Sequence, residues 1–380
     1  MNQNSLHRLL TVLCLTVTLA ACAGQPPVDR EVQLSRSDLL SGMALGLGAG
    51  DYISATDTLA VNDDMRDFLA RRIPAGAADQ QKVELILGAI LEDGLHLNYN
   101  NFKTLTAEEA FYQREGNCLS FTNLFVALAR EAGVKADFQE VQVPPNWTMR
   151  GDTYMYNLHL NVLVNLPGNE QVIDFDMSSY DNEYNRRLIS DDAALAQYHN
   201  NMGVHWLSEG EIETAFQHMR VALELRPHTG YFWTNLGTVY RRGGHLPEAE
   251  AAYLTAIDQG LEPTAMSNLA RLYSQIGQPE LADYYRSRVE IYRGKNPYYL
   301  FHLAEEAYAQ AEYSRAESLL RKAIHYREDE QEFYRLLGLS HLQQGDKAAA
   351  ERRFRQAAEL AKDPVERQRI NHKLHLLAGN

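Results

Sequence analysis

Three cysteines in 380 residues are too few for a disulfide framework. Cys14 and Cys22 fall in the first 22 residues, and Cys118 stands alone in the remainder. Basic residues are also in short supply, with 36 Lys and Arg against 50 Asp and Glu. That acidic balance argues against nucleic acid as a main partner, because phosphate recognition needs a basic surface. Metal ligands are thinly spread: His372 and His375 lie three apart with no third ligand nearby, so neither a metal nor another cofactor is expected. No apolar run is long enough to span a bilayer. The run Leu9–Val17 suits the apolar core of a secretory signal instead. What remains is globular in composition, 45% hydrophobic and 23% charged, and long enough for two domains.

The N-terminal stretch starts weakly basic, at His7 and Arg8, and ends in Leu19-Ala20-Ala21-Cys22. Small residues before a cysteine resemble the bacterial lipobox. The resemblance implies a signal peptide over 1–21, a lipidated Cys22 as the mature N-terminus, and membrane contact through the lipid. Ala23 after the cysteine favours the outer membrane, facing the periplasm. Residues 22–35, with Pro26 and Pro27, read as a tether. Cys118 is then the one free thiol, and no intramolecular disulfide can form.

Between 36 and 190 the pattern is helices first and strands afterwards. Gly-rich SGMALGLGAGDY lacks the Lys-Ser/Thr ending of a phosphate loop and reads as a packing or turn segment. In DQQKVELILGAILEDG, Val83, Ile86, Leu87 and Ile90 share one helical face. Beyond Val134 the period becomes two. Residues 134–143 alternate, and 153–165 place Leu158, Leu160, Val162 and Val164 on one face with His159, Asn161 and Asn165 on the other. LPGNE is a hairpin turn, and QVIDFD returns with Val172, Asp174 and Asp176 on one face. The expected class is α+β, helices followed by an antiparallel sheet.

Cys118 sits where a helix is expected to start, after Gly116 and a capping Asn117. The thiolate is the reactive form of cysteine, and a helix N-terminus favours it through free N–H groups and partial positive charge. A thiol nucleophile needs a base, and the base an orienter. His159 and Asp174 supply both on paired strands, with Asp176 the alternative orienter. The order Cys, His, Asp on helix, strand and strand resembles the transglutaminase-like superfamily of papain-like folds. TAEEAFYQREGNCLSFTNLFVALAREAGVKADF, NLHLNVLV and QVIDFD carry it, over roughly residues 80–185. Two positions depart from that pattern: Asn161 and Phe175 stand where an aromatic and a proline are common. For the oxyanion, the Cys118 backbone N–H is one donor. The resemblance to papain-like enzymes suggests Gln113 as a second, with Tyr112 as the alternative.

From residue 196 a 34-residue period takes over. Small residues recur at Gly203, Gly237, Ala270, Ala304 and Gly338, and again twelve positions later at Ala215, Ala249, Ala282, Ala316 and Ala350. Trp233, Leu236, Gly237, Tyr240, Ala249, Tyr253 and Ala256 resemble the tetratricopeptide repeat. The resemblance implies five helix pairs and a capping helix over 196–377, an all-α solenoid. Its inner face would carry Asn200, Tyr231, Thr234, Arg241, Arg242, Arg271, Tyr298, Phe301, Tyr308 and Arg335, and the four arginines suit an acidic protein or peptide partner. The expected whole is an envelope lipoprotein. A thiol site would attack an amide, and hydrolysis and acyl transfer remain equally open. The alternative is a non-catalytic assembly protein that keeps the fold.

Overall fold

The structure is a computed structural model that describes residues 33–48, 50–91, 95–141, 147–150, 153–156, 159–175, 186–260, 263–361, 367, 368, 370–372 and 374. The signal, Cys22, most of the tether, Asp176 and much of the capping helix lie outside the described residues.

The chain opens with α1 (Arg36–Leu40), capped by Ser35, and a 3-10 turn at Met43–Leu45. Helices α2 (Asp63–Arg72) and α3 (Asp79–Leu91) follow. Two short parallel strands, β1 (Asn98–Tyr99) and β2 (Glu115–Gly116), flank α4 (Ala107–Gln113). Helix α5 (Cys118–Glu131) then runs through the core of this region, with eleven of its fourteen residues buried. It packs against the antiparallel sheet of β3 (Ala136–Val141), β6 (His159–Leu166), β7 (Asn169–Ile173) and β8 (Arg186–Leu188), in the order β7-β6-β3-β8. A separate hairpin, β4 (Trp147–Arg150) and β5 (Thr153–Tyr156), precedes β6. The stretch 153–165, read from the sequence as one strand, divides into β5 and β6 in separate sheets, and the alternation holds along β6. Val162, Val164 and Ile173 join Phe125 and Leu128 of α5 in one apolar cluster.

The repeat region is helical throughout. Its helices are α6 (Asp191–Glu209), α7 (Ile212–Leu225), α8 (Gly230–Arg242), α9 (Leu246–Asp258), α10 (Pro263–Gln275), α11 (Pro279–Lys295), α12 (Pro297–Ala309), α13 (Tyr313–Tyr326), α14 (Gln331–Gln343) and α15 (Lys347–Leu360). The recurring small residues sit where paired helices touch. A Cβ at Gly237 would lie 2.6 Å from the Tyr253 ring, and one at Gly338 would lie 2.9 Å from the Phe354 ring. Among the described residues no helix is long and apolar enough to cross a membrane.

The segment before residue 58 behaves differently from its sequence reading. Leu39, placed with the first domain by sequence, is fully buried in the core of the repeats, and Tyr240 donates a 2.6 Å hydrogen bond to its carbonyl. The Gly-rich stretch is a packing segment, as its composition suggested. A Cβ on Gly42 would meet the Phe216 ring at 2.9 Å. From there the chain is strapped across α6 and α7. Gln217 donates to the Asp51 carbonyl, Arg220 lies over the Tyr52 ring, and the Thr56 N–H donates to His199 Nε2 at 3.3 Å. Thr58 then accepts from the Ala107 N–H at the start of α4.

His199 and His218 meet through their Nδ1 atoms at 3.0 Å beneath this strap. Because His199 Nε2 accepts from Thr56, its proton resides on Nδ1 and is donated to His218. Burial, reinforced by the proximity of His218 to His199 and of His205 to His218, pushes both imidazoles down to about 4. Their unfolded values lie near 6.5, so the unfolded chain binds more protons between pH 6.5 and 4. The pair's contribution to stability is therefore complete above 6.5 and declines as pH falls toward 4. Melting temperature measured against pH is expected to fall across this window, and to fall less steeply in His199→Gln/His218→Gln.

Candidate active site

Helix α5 starts at Cys118 because the residues before it are fixed from several sides. Asn117 is extended, and its side-chain oxygen accepts from the Ser120 N–H at 3.1 Å, capping the helix. The Asn117 amide donates to Thr104 at 2.7 Å, and its backbone N–H donates to the Lys103 carbonyl. Ser120 accepts from the Leu105 N–H at 2.8 Å and donates to the Lys103 carbonyl. The extended segment 103–105 therefore grips the first turn at both its cap and its third residue. Gly116 is needed for the approach: its φ is +154°, and a Cβ there would lie 2.5 Å from that of Ser120.

Cys118 is the first residue of α5 and is partly exposed. His159 opens β6, opposite Val141 of β3. Asp174 lies one residue past β7. Its carboxylate accepts from His159 Nε2, with N···O distances of 2.8 and 2.7 Å. Both side chains are almost wholly buried, 7% and 4% exposed. With Nε2 committed to Asp174, Nδ1 is the ring nitrogen left to meet the sulfur, and Cys118 is near enough to act on the imidazole's pKa. Burial alone would favour the neutral ring. The Asp174 carboxylate and the Cys118 sulfur outweigh it, and the His159 pKa is pushed up to about 10. The imidazolium is thus the resting form through the neutral range, flanked by an anion on one side and the thiol sulfur on the other.

An aromatic row ties the helix to the strand that carries Asp174. Phe175 meets Phe121, one turn beyond Cys118, edge-on at 5.8 Å, and Phe121 meets Tyr99 at 6.0 Å. Phe175 thus fills part of the helix–sheet joint. Leu119 and Leu160, the residues after Cys118 and His159, pack with Tyr198 of α6. The repeat region therefore braces both chain segments that carry the site.

The oxyanion donors divide. The Cys118 N–H is at the first helical position, where no intrahelical partner exists. Gln113, last in α4, is exposed. Tyr112 is directed elsewhere: its hydroxyl donates to Asp64 at 2.7 Å and accepts from Asn62 at the start of α2. Among the described residues no group of three or more His, Cys, Asp or Glu could hold a metal ion.

A further polar side chain, at a position that departs from the family pattern, meets Asp174. Asn161, fully buried, donates from Nδ2 to Asp174 Oδ2 at 3.0 Å. Its signal in the sequence is plain in hindsight, since it shares the polar face of its strand with His159.

The expected groove residues are not equivalent. Asn200 and Thr234, on α6 and α8, are buried, and Asn235 donates to Asn200 at 2.8 Å. Strand β5 runs beside α10. Tyr231 and Arg241 are half-buried, and Arg271 is exposed. Arg242 donates to the Leu207 carbonyl, and Arg335 pairs with Glu332. The Tyr298 hydroxyl donates to Glu330 at 3.0 Å, and its ring lies under Arg327. Phe301 is tilted against Phe333 in the same apolar cluster.

Comparison with known families agrees with both halves of this description. Residues 67–169 match the transglutaminase-like superfamily. Residues 234–295 and 301–366 match the tetratricopeptide repeat. The chain thus joins a transglutaminase-like core to tetratricopeptide repeats, and the repeats mark a region for protein–protein interaction in general. Comparison with curated proteins finds no match. Among solved structures, the Cut9–Hcn1 hetero-tetramer of APC/C is 18% identical at TM-score 0.26; the match covers 48% of this chain and 36% of that one. YrrB, titled a TPR protein with an unusual peptide-binding site, is 18% identical at TM-score 0.24, over 47% of this chain and 92% of its own. PilF of Pseudomonas aeruginosa is 20% identical at TM-score 0.25, over 47% of this chain and 82% of its own.

Gly116→Ala is expected to destabilise the protein by about 2–3 kcal/mol, from overpacking against Ser120 and the positive φ together. Denaturant unfolding measures the loss, and alkylation of Cys118 should slow in the folded variant as the helix start shifts.

Proposed function

We propose that the protein is a thiol enzyme that attacks an amide or peptide bond through Cys118 and passes the acyl group to water or to an amine. The observation that carries this reading is the His159 ring held between the Asp174 carboxylate and the Cys118 sulfur. In that arrangement the imidazole holds the proton and the thiolate is the attacking form. The thiolate attacks the carbonyl carbon, forming the C–S bond and pushing an electron pair onto oxygen. The Cys118 N–H stabilises that oxyanion, and Gln113 is the candidate for a second donor. His159 gives its Nδ1 proton to the departing nitrogen as the C–N bond breaks, which leaves a thioester. Water or an amine then loses a proton to His159 and attacks, and breakage of the C–S bond restores the thiolate.

The reading extends to the rest of the chain. Residues 1–35 carry the lipobox-like signal, and they support a lipid anchor at Cys22 and placement in the cell envelope, on the periplasmic face of the outer membrane. The repeats support recruitment of a protein or peptide to the site that α6 braces.

The test uses p-nitrophenyl acetate on the full chain. Wild type is expected to release p-nitrophenol with turnover and to show an acetyl adduct on Cys118 by intact mass. Cys118→Ala should show neither. His159→Ala should lose about 10²–10⁴-fold in rate, the usual worth of a positioned general base. Equal rates for wild type and His159→Ala would remove the catalytic reading and leave an assembly role for the repeats.

A further inference from the structure

The polar chain at the site does not end at Asp174. Strands β6 and β7 pair Val162 with Ile173, and one step further along this register Asn161 faces Asp174. Asp174 itself is past the end of the β7 ladder, so the strand does not fix its side chain. Its carboxylate is nonetheless 4% exposed. An ionised carboxylate so far from water must be met by donors, or it takes up a proton. The Asn161 amide, on a fully buried residue, supplies one such donor to Oδ2 at 3.0 Å, while His159 Nε2 supplies another. Asn161 belongs to the same strand as His159, two residues on, so a single rigid element carries both partners of the carboxylate.

Resting on the thiol-enzyme reading above, we infer that Asn161 is a positioning residue for the triad: its amide holds the Asp174 carboxylate aimed at His159 Nε2, and through it sustains the imidazolium–thiolate pair at Cys118. It touches neither substrate nor sulfur and acts only through Asp174. Its presence also selects Asp174 as the orienter. Without that donor the buried carboxylate competes for the proton on Nε2, the imidazolium loses its counter-charge, and the sulfur keeps its own proton to higher pH.

The test is the pH profile of Cys118 alkylation by iodoacetamide, measured on the full chain. Asn161→Leu matches the volume and has no donor. It is expected to slow alkylation about tenfold at pH 6, as one lost hydrogen bond to a charged group would. The rate at pH 10, where any thiol is ionised, should be unchanged. Asn161→Thr, which keeps a hydroxyl donor on a strand-favouring side chain, should recover part of the loss at pH 6. If the leucine variant does not fold, Asn161→Asp serves instead: it keeps the size, and once ionised it cannot donate and repels Asp174. It should show the same upward shift of the profile. A wild-type profile in Asn161→Leu or Asn161→Asp overturns the inference. Absence of reactivity at pH 6 in the wild type, or a profile unmoved by His159→Ala, instead overturns the thiol-enzyme reading on which it rests.

Discussion

The start of helix α5 is the constraint on which the rest depends. A single turn of backbone must place a sulfur at a helix N-terminus, partly exposed, while the remaining turns are buried in the core. The sequence solves this with polar residues that are themselves buried. Thr104, Asn117 and Ser120 bind one another and the backbone of residues 103–105, so the cap is held without any solvent-facing clamp. Gly116 removes the one side chain that would collide with that arrangement. The helix dipole and the free N–H of Cys118 then come at no extra cost, because any helix start supplies them.

The electrostatics follow from burial. An imidazole as enclosed as that of His159 would ordinarily be neutral, and a carboxylate as enclosed as that of Asp174 would ordinarily resist ionisation. Brought to hydrogen-bond distance, each removes the other's penalty, and Asn161 and Cys118 extend the chain at its two ends. Breaking such a buried set at one member strands the remaining charge, so the effects of single substitutions need not add. The repeat region takes part physically. Tyr198 packs on the residues following both Cys118 and His159, and the strap over His199 and His218 joins the first helix to the start of α4. The two halves share side-chain contacts at the site itself.

Much of this was legible in the sequence, for identifiable reasons. The repeats announce themselves because close helix contact admits only small residues, at Gly203, Gly237, Ala270, Ala304 and Gly338. Cys118, His159 and Asp174 were legible because a helix start and a two-residue strand period place chemistry-bearing side chains by counting. Residues 36–47 were assigned to the wrong neighbour because their partners, Phe216 and Tyr240 among them, are far away in sequence and a short Gly-rich pattern does not name them. Asn161 was read as a deviation from a family pattern, although its face was correctly assigned; what it binds depends on register, which alternation alone does not give. Counting along the repeats could not reveal that Asn200 and Thr234 would be buried, or that Arg242 and Arg335 would be engaged within the chain.

The account's central claim is that the proton shared between Cys118 and His159 rests on the imidazole at neutral pH, leaving the sulfur as thiolate. Ultraviolet thiolate absorbance, taken as the difference between wild type and Cys118→Ala across pH, measures this with no substrate present. The account predicts full thiolate absorbance at pH 6 in the wild type and its loss in His159→Ala. An absorbance that rises only near pH 8.5, the ordinary range of a free thiol, in both proteins would contradict it.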